Sequence, residues 1–121
     1  MFFACLVTQL VYINSIFAVP SQAPTSFNVS ACTSTSIDAS WNLPPAISRN
    51  GIITGFKLFY KRKEFHEPQT IIKISNAVIH TKTVTGLDKY AVYEFQVLAF
   101  NSAGDGPKSS VIVQRTREDG K

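Results

Sequence analysis

From Phe27 onward, apolar and polar residues take turns along much of the chain. Phe27, Val29 and Ala31 alternate with Ser26, Asn28 and Ser30, and Ile37, Ala39 and Trp41 alternate with Asp38, Ser40 and Asn42. Further on, Phe56, Leu58 and Tyr60 interleave with Lys57, Phe59 and Lys61, and Tyr93, Phe95, Val97 and Ala99 with Glu94, Gln96 and Leu98. A period of two sends successive side chains to opposite faces of a strand, so each of these runs predicts a strand with one buried face and one wet face. Residues 71–74 and 111–113 add two shorter β-branched runs, and residues 81–87 a threonine-rich one.

Turn-forming residues separate the runs: residues 33–36, Pro44-Pro45, Asn50-Gly51, Gly86 and residues 102–107. No stretch combines apolar residues at helical spacing with helix caps. The pattern predicts about seven short strands in roughly 95 residues, the size and spacing of an all-β, seven-stranded, immunoglobulin-like β-sandwich.

Composition narrows the class. The chain has 121 residues, 45% apolar and 17% charged, with nine Phe and four Tyr, which suits one domain with a filled core. Two cysteines are too few for a disulfide-built miniprotein or a four-cysteine zinc site. The net charge of +4, from 12 Lys and Arg against 8 Asp and Glu, lies wholly in residues 38–121. It could favour an acidic partner weakly but lacks the dense basic stripe of a nucleic-acid binder.

Residues 1–19 carry no charge and are interrupted by polar pairs at Thr8-Gln9 and Asn14-Ser15. Residues 1–18 read as a signal-peptide-like apolar segment with a cleavage site after Ala18. The missing basic n-region and the bulky Ile16 leave open that the stretch is a non-native start to a fragment. Residues 19–22 read as a linker, because Pro20 and Pro24 resist helix and sheet alike. Residues 23–117 form the folded unit, and residues 118–121 a linker or tail.

Within 23–117 particular residues become familiar. The chain resembles a fibronectin type III domain in Ala23-Pro24, in Ser34-Thr-Ser-Ile-Asp-Ala-Ser-Trp41, and in the break at Pro44-Pro45. Asn50-Gly-Ile-Ile-Thr-Gly-Phe-Lys-Leu-Phe-Tyr60, the Leu87-x5-Tyr93 corner, and Phe95-Gln-Val-Leu-Ala-Phe-Asn-Ser-Ala-Gly-Asp-Gly-Pro107 follow in order and at the family's spacing. The wording of residues 87–100 is similar to repeats in neuronal adhesion receptors and receptor tyrosine phosphatases. The resemblance implies a noncatalytic extracellular module, one of several tandem repeats in a cell-surface or matrix protein. It also implies a structural core of Trp41, Tyr60, Leu87, Tyr93 and Val97.

These residues have physical reasons to be there. Trp41 supplies the largest apolar area between sheets about 10 Å apart. The Tyr93 hydroxyl can reach back to the backbone near Leu87. Gly104 and Gly106 would permit positive φ in a tight strand connection. Lys82 and Tyr90 depart from the family's usual residues without threatening the fold.

A search for chemistry returns little. His66 and His80 are 14 positions apart and read as solvated side chains. There is no paired acid–base carboxylate motif, no P-loop, no G-x-S-x-G and no His-Glu-x-x-His. No enzyme activity, cofactor or metal site is expected. Cys32 is expected to be a buried free thiol. Asn28-Val29-Ser30 is the only N-x-S/T sequon, with Asn28 facing solvent on its strand, so glycosylation is sterically reasonable. The Arg-Gly-Asp tripeptide is absent.

One surface remains. Lys57 and Lys61 share a strand face with Phe59, and Leu98 and Phe100 point the same way from the neighbouring strand. Two readings stand: an exposed apolar patch rimmed by lysine that meets a protein partner or neighbouring domain, or a face covered by side-chain stems and the connection that follows the lysine-bearing strand. The lysines could also hold a sulfated glycan weakly, or serve only to keep the sheet soluble. A passive spacer and the ectodomain fragment of a receptor enzyme are the alternative functions.

Overall fold

The computed structural model describes residues 18–118. Residues 1–17 and 119–121 lie outside the described part, and with them most of the signal-like segment and the end of the tail. The expected turn at residues 33–36 joins the first two strands. β1 (Thr25–Thr33) turns through Ser34-Thr35 into β2 (Ser36–Asn42). The Thr33 and Ser36 hydroxyls share a hydrogen bond of 2.7 Å, and the Thr35 amide donates to Thr33 Oγ1.

Pro44 and Pro45 then end β2 and lead into a 3-10 turn, Ala46–Ser48. The left-handed pair Asn50 (φ 53°) and Gly51 (φ 127°) redirects the chain into β3 (Gly55–Arg62). β4 (Thr70–Ile74), β5 (Thr81–Val84) and β6 (Val92–Asn101) follow. The strand expected at residues 111–113 is β8 (Ile112–Arg115), and a two-residue strand, β7 (Gly104–Asp105), forms inside the expected turn 102–107, giving eight strands among the described residues.

The gap between β7 and β8 has a local cause. Pro107 has no amide to donate to a ladder. Across the gap the chain still follows β6: Gly106 N–H donates to Ala99 O, Ser109 N–H to Val97 O, and Val97 N–H to Ser109 Oγ. β7 and β8 are thus two halves of one seventh strand.

The strands form two antiparallel sheets, in the orders β1-β2-β5 and β4-β3-β6-β7, with β8 also paired to β6. Between the sheets lies one core. Ile37, Trp41, Phe56, Leu58, Phe95 and Val97 are fully buried, and the Trp41 ring meets Phe56 at 5.5 Å between centroids. Leu87 and Tyr93 are also buried, whereas Tyr60 is half-buried and stacks on Phe95 at the core's margin. The Tyr93 hydroxyl accepts the Asp88 amide at 2.9 Å, one residue from the expected Leu87. The indole Nε1 of Trp41 is buried without a partner among the described residues.

Three local expectations change. Cys32 is exposed, because it shares the outward parity of Asn28 and Ser30 and lies in an irregularity of the β1–β2 register between Ala31 and Thr33. Gly106 does not have a positive φ; Gly104 does, at 142°. What requires glycine at 106 is close approach, since a Cβ there would lie 2.9 Å from Pro20 Cβ and 3.0 Å from Pro20 O.

Thirdly, the stretch expected to be a linker is packed against the domain. Pro20 is fully buried. Ser21 N–H donates to Ser48 O, and the Asn50 amide to Val19 O. The buried Asn101 donates to Ala18 O at 2.9 Å and to the carbonyls of Arg49 and Asn50, while its Oδ1 accepts the amides of Ala103 and Gly104. At the other end Thr116 is 1% exposed, and its hydroxyl bonds the backbone of Asp88 and Ala91. It continues the inward parity of Ile112 and Gln114 beyond the last strand.

Candidate interaction surface

The outer face of the β4-β3-β6-β7 sheet gathers the residues of the expected partner surface. Lys57 stands opposite Leu98, Phe59 opposite Gln96, Lys61 opposite Glu94, and Gly55 opposite Phe100. On the other side of β3, Lys57 faces Lys73 and Phe59 faces Ile71. Residues directly opposite on one face are near enough to interact across the strands, so the register itself assembles this surface.

The surface is not the exposed apolar patch that alternation allowed. Phe59 is 5% exposed and Leu98 4%, and Phe100 is half-buried. Long polar side chains close over them. Lys108 Nζ lies 4.2 Å from the centre of the Phe59 ring and donates to Gln69 Oε1. Gln69 in turn donates to Gln96 Oε1, and Gln96 to Ser109 O. This chain of bonds links the β3–β4 connection, β6 and the gap after β7 into a roof over Phe59. Phe100 lies beneath two lysines, with Lys73 Nζ 5.4 Å and Lys57 Nζ 6.0 Å from its ring centre. Ammonium groups over aromatic rings gain from the ring quadrupole while their stems cover apolar area.

Most of the expected lysine face is also paired with acid. Lys57 Nζ is 2.8 Å from Asp105 Oδ2, and Lys61 Nζ is 3.5 Å from Glu94 Oε1. At the end of β3, Arg62 bridges Glu64 and Asp88 and lies over the rings of Phe65 and Tyr93. The hydrogen bond to Glu64 is the main reason the Arg62 guanidinium is raised above its ordinary pKa; burial opposes this and Asp88 adds to it. Exposed pairs of this kind stabilise little; their consequence here is a face of alternating charge rather than a cationic one. Lys73, Lys108, Gln69, Gln96 and Asp105 complete it. Among these, Gln96 shares the parity of Leu98 and Lys73 lies in the expected 71–74 strand, whereas Gln69, Asp105 and Lys108 reach the face from stretches with no period.

The remaining candidates lie elsewhere. Asn28 is exposed on the outer face of the other sheet, opposite Ser40, in a polar depression shared with Ser30, Asp38, Thr81, Lys82 and Thr83. His66 is exposed. His80 is half-buried rather than fully solvated: it meets Phe56 edge-on at 5.7 Å, with Nε2 3.0 Å from Ala77 O. Nothing brings the two histidines together. Among the described residues, no group of three or more His, Cys, Asp or Glu could hold a metal ion.

Two packed antiparallel sheets, a buried tryptophan on β2 and a tyrosine at the start of β6 tied back to the crossover before it define a β-sandwich of the immunoglobulin-like kind. The profile described as fibronectin type III domain matches residues 22–115, and the chain belongs to that family. It is 37% identical over 115 residues to Protein sidekick-1 of Gallus gallus, covering 92% of this chain. It is 35% identical over 105 residues to the Cell adhesion molecule DSCAML1 of Homo sapiens, covering 84% of this chain. It spans 5% of the length of each. Among solved structures, the chicken CNTN1 FN1–FN3 domains superpose with a TM-score of 0.72 at 28% identity, over 83% of this chain and 33% of that one.

Proposed function

We propose that this domain is a noncatalytic, extracellular interaction module, one repeat of a much longer adhesion protein, and that it meets a protein partner through the outer face of the β4-β3-β6-β7 sheet. The observation that carries the reading is the convergence of Lys57, Lys61, Lys73, Asp105 and Glu94 on one regular sheet face over a packed aromatic layer. Such a face offers a rigid array of alternating charges, the kind of surface that sets partner choice and encounter rate more than raw affinity. Similarity to sidekick and DSCAML1 over most of the chain supports an adhesion setting. The pairing of Lys57 and Lys61 with acids favours a protein partner over a sulfated glycan. In the same setting Asn28 carries a glycan on the opposite sheet.

The test is to display the domain as a soluble multimer on cells that bind it and reverse both charges, Lys57→Glu with Lys61→Glu. Both positions are partly solvent-exposed, so the fold is kept and binding drops several-fold with a changed salt dependence. Equal binding by the folded double variant removes the face from consideration. A second reading, a spacer that orients its neighbours, is favoured by the docking of residues 18–21. It predicts that no surface variant of this face has any binding effect.

A further inference from the structure

The two sheets have four edges, and they are not protected alike. β1 is bent by two shifts in its register with β2, and Arg117 N–H reaches across to Thr33 O at its end. The β7 and β8 edge is two short pieces interrupted around Pro107. β5 is four residues long and presents Thr81, Lys82 and Thr83, all exposed and polar. Bulges, breaks, short length and charge are the devices by which natural sheets discourage pairing with another chain.

β4 has few of them. Its five residues Thr-Ile-Ile-Lys-Ile pair with β3 without a shift, contain no proline, and expose Ile71 to 57%. Among the described residues no strand lies along its far edge. We infer that β4 is a pairing edge, and that its occupant is β4 of a second copy of this domain, running antiparallel.

β4 is complementary to itself in one register. Pairing about a two-fold axis perpendicular to the sheet keeps each outer face outer, so opposite residues must share a face. Ile71 and Lys73 face outward, while Thr70, Ile72 and Ile74 face the other sheet. Registers that match an outward residue with an inward one are therefore excluded. Centring on Lys73 sets lysine against lysine, which is unfavourable. Centring on Ile71 pairs only three of the five residues. Centring on Ile72 pairs all five: Ile72 with Ile72 of the second copy, Thr70 with its Ile74, and Ile71 beside the stem of its Lys73. The contact is smaller than the ~1,200 Å² of stable interfaces, so it is a weak contact that tandem or surface-bound copies would strengthen by avidity.

The core cluster and the residues packed against it run from Phe27 to Ile112, so residues 18–118 can be prepared as the domain. Sedimentation equilibrium of that piece, taken to about 1 mM, should show its mass climbing toward that of a dimer. Ile71→Lys sets a lysine opposite Lys73 of the second copy twice per dimer, and should weaken association about tenfold while leaving the fold intact. Adding Lys73→Glu makes both cross-strand pairs attractive and should restore it. A wild-type domain that stays monomeric at about 1 mM, a dimer indifferent to Ile71→Lys, or a double variant that does not recover each overturns the proposal. Circular dichroism of every variant separates these outcomes from loss of fold.

Discussion

Asn101 and Ala18 stand 83 positions apart in the chain, and the side-chain amide of the first donates to the carbonyl of the second across 2.9 Å. That bond makes residues 18–21 part of the domain. It is one of several made by a single buried side chain that joins the N-terminal strap, the Arg49-Asn50 turn and the turn after β6.

Removing this hub should loosen one end of the sandwich. Leaving buried polar groups without partners costs about 1–3 kcal/mol, so Asn101→Ala should lower unfolding stability by about that amount. Asn101→Asp keeps the shape and the acceptor for Ala103 and Gly104 but turns a negative charge toward three carbonyls. It should cost at least as much at neutral pH. Urea denaturation gives the size of the effect, and hydrogen exchange at the Ser21 amide its location. A Ser21 amide as protected in Asn101→Ala as in the parent would show that the strap holds without this side chain.

At the opposite end the corresponding tie is Tyr93. Its hydroxyl accepts the Asp88 amide at 2.9 Å while the ring is buried. Tyr93→Phe keeps the packing and deletes one acceptor from a part-buried amide, which should cost about 1 kcal/mol. The loss of protection should be confined to residues near Asp88 rather than spread over β6. A stability unchanged within ~0.3 kcal/mol would mean that water replaces the hydroxyl there at no net cost.

Alternation made most of this fold legible because it reports which face of a strand is apolar, and burial followed that parity at Ile37, Ala39, Trp41, Phe56, Leu58, Phe95 and Val97. It cannot report what crosses above a face. Phe59 and Leu98 lie on the outer side of the sheet as their parity requires, yet both are covered, and part of the cover over Phe59 comes from Lys108 and Gln69 in connections with no period. Cys32 shows the reverse: its parity with Asn28 and Ser30 already points outward, and that parity, not the hydrophobic character of a free thiol, decides its exposure. Residues 18–21 were illegible for a compositional reason. Pro20 and Ser21 look alike in a linker and in a docked strap, and what distinguishes them is what they meet: the Ser48 carbonyl facing the Ser21 amide, and Gly106 beside Pro20.

At Gly106 the strap lies close against the sheet edge. A methyl group there would press on Pro20 at 2.9 Å and on Ala99 O at 3.1 Å. Backbone φ does not demand glycine at this position, so Gly106→Ala isolates the effect of space. Overpacking typically costs about 1–3 kcal/mol, and the strap is the element most free to move. Ser21 should therefore exchange faster in this variant, as in Asn101→Ala. Gly86→Ala is the control: its site is open but its φ is +72°, so it should lose about 1 kcal/mol with Ser21 unchanged. If both variants left Ser21 equally protected, the close approach at Gly106 would not be what positions the strap.

Asn28 provides a test of the cellular setting. It stands exposed on β1 with Ser30 on the same face, and the hydroxyls of Ser40, Thr81 and Thr83 surround the depression beside it. Nothing in this arrangement needs the bare amide for folding, since no hydrogen bond ties its side chain to the rest of the domain among those described. When the chain is expressed through a mammalian secretory pathway, its intact mass should exceed that of the polypeptide. The excess should vanish in Asn28→Gln and after enzymatic removal of N-linked sugar. Because the substituted site is exposed, stability should change by no more than about 0.5 kcal/mol. The glycan would cover the β1-β2-β5 sheet and leave the Lys57 and Lys61 face clear, so partner binding should survive Asn28→Gln. Secreted protein with the bare polypeptide mass would show that Asn28 is not modified in that pathway, whatever its exposure.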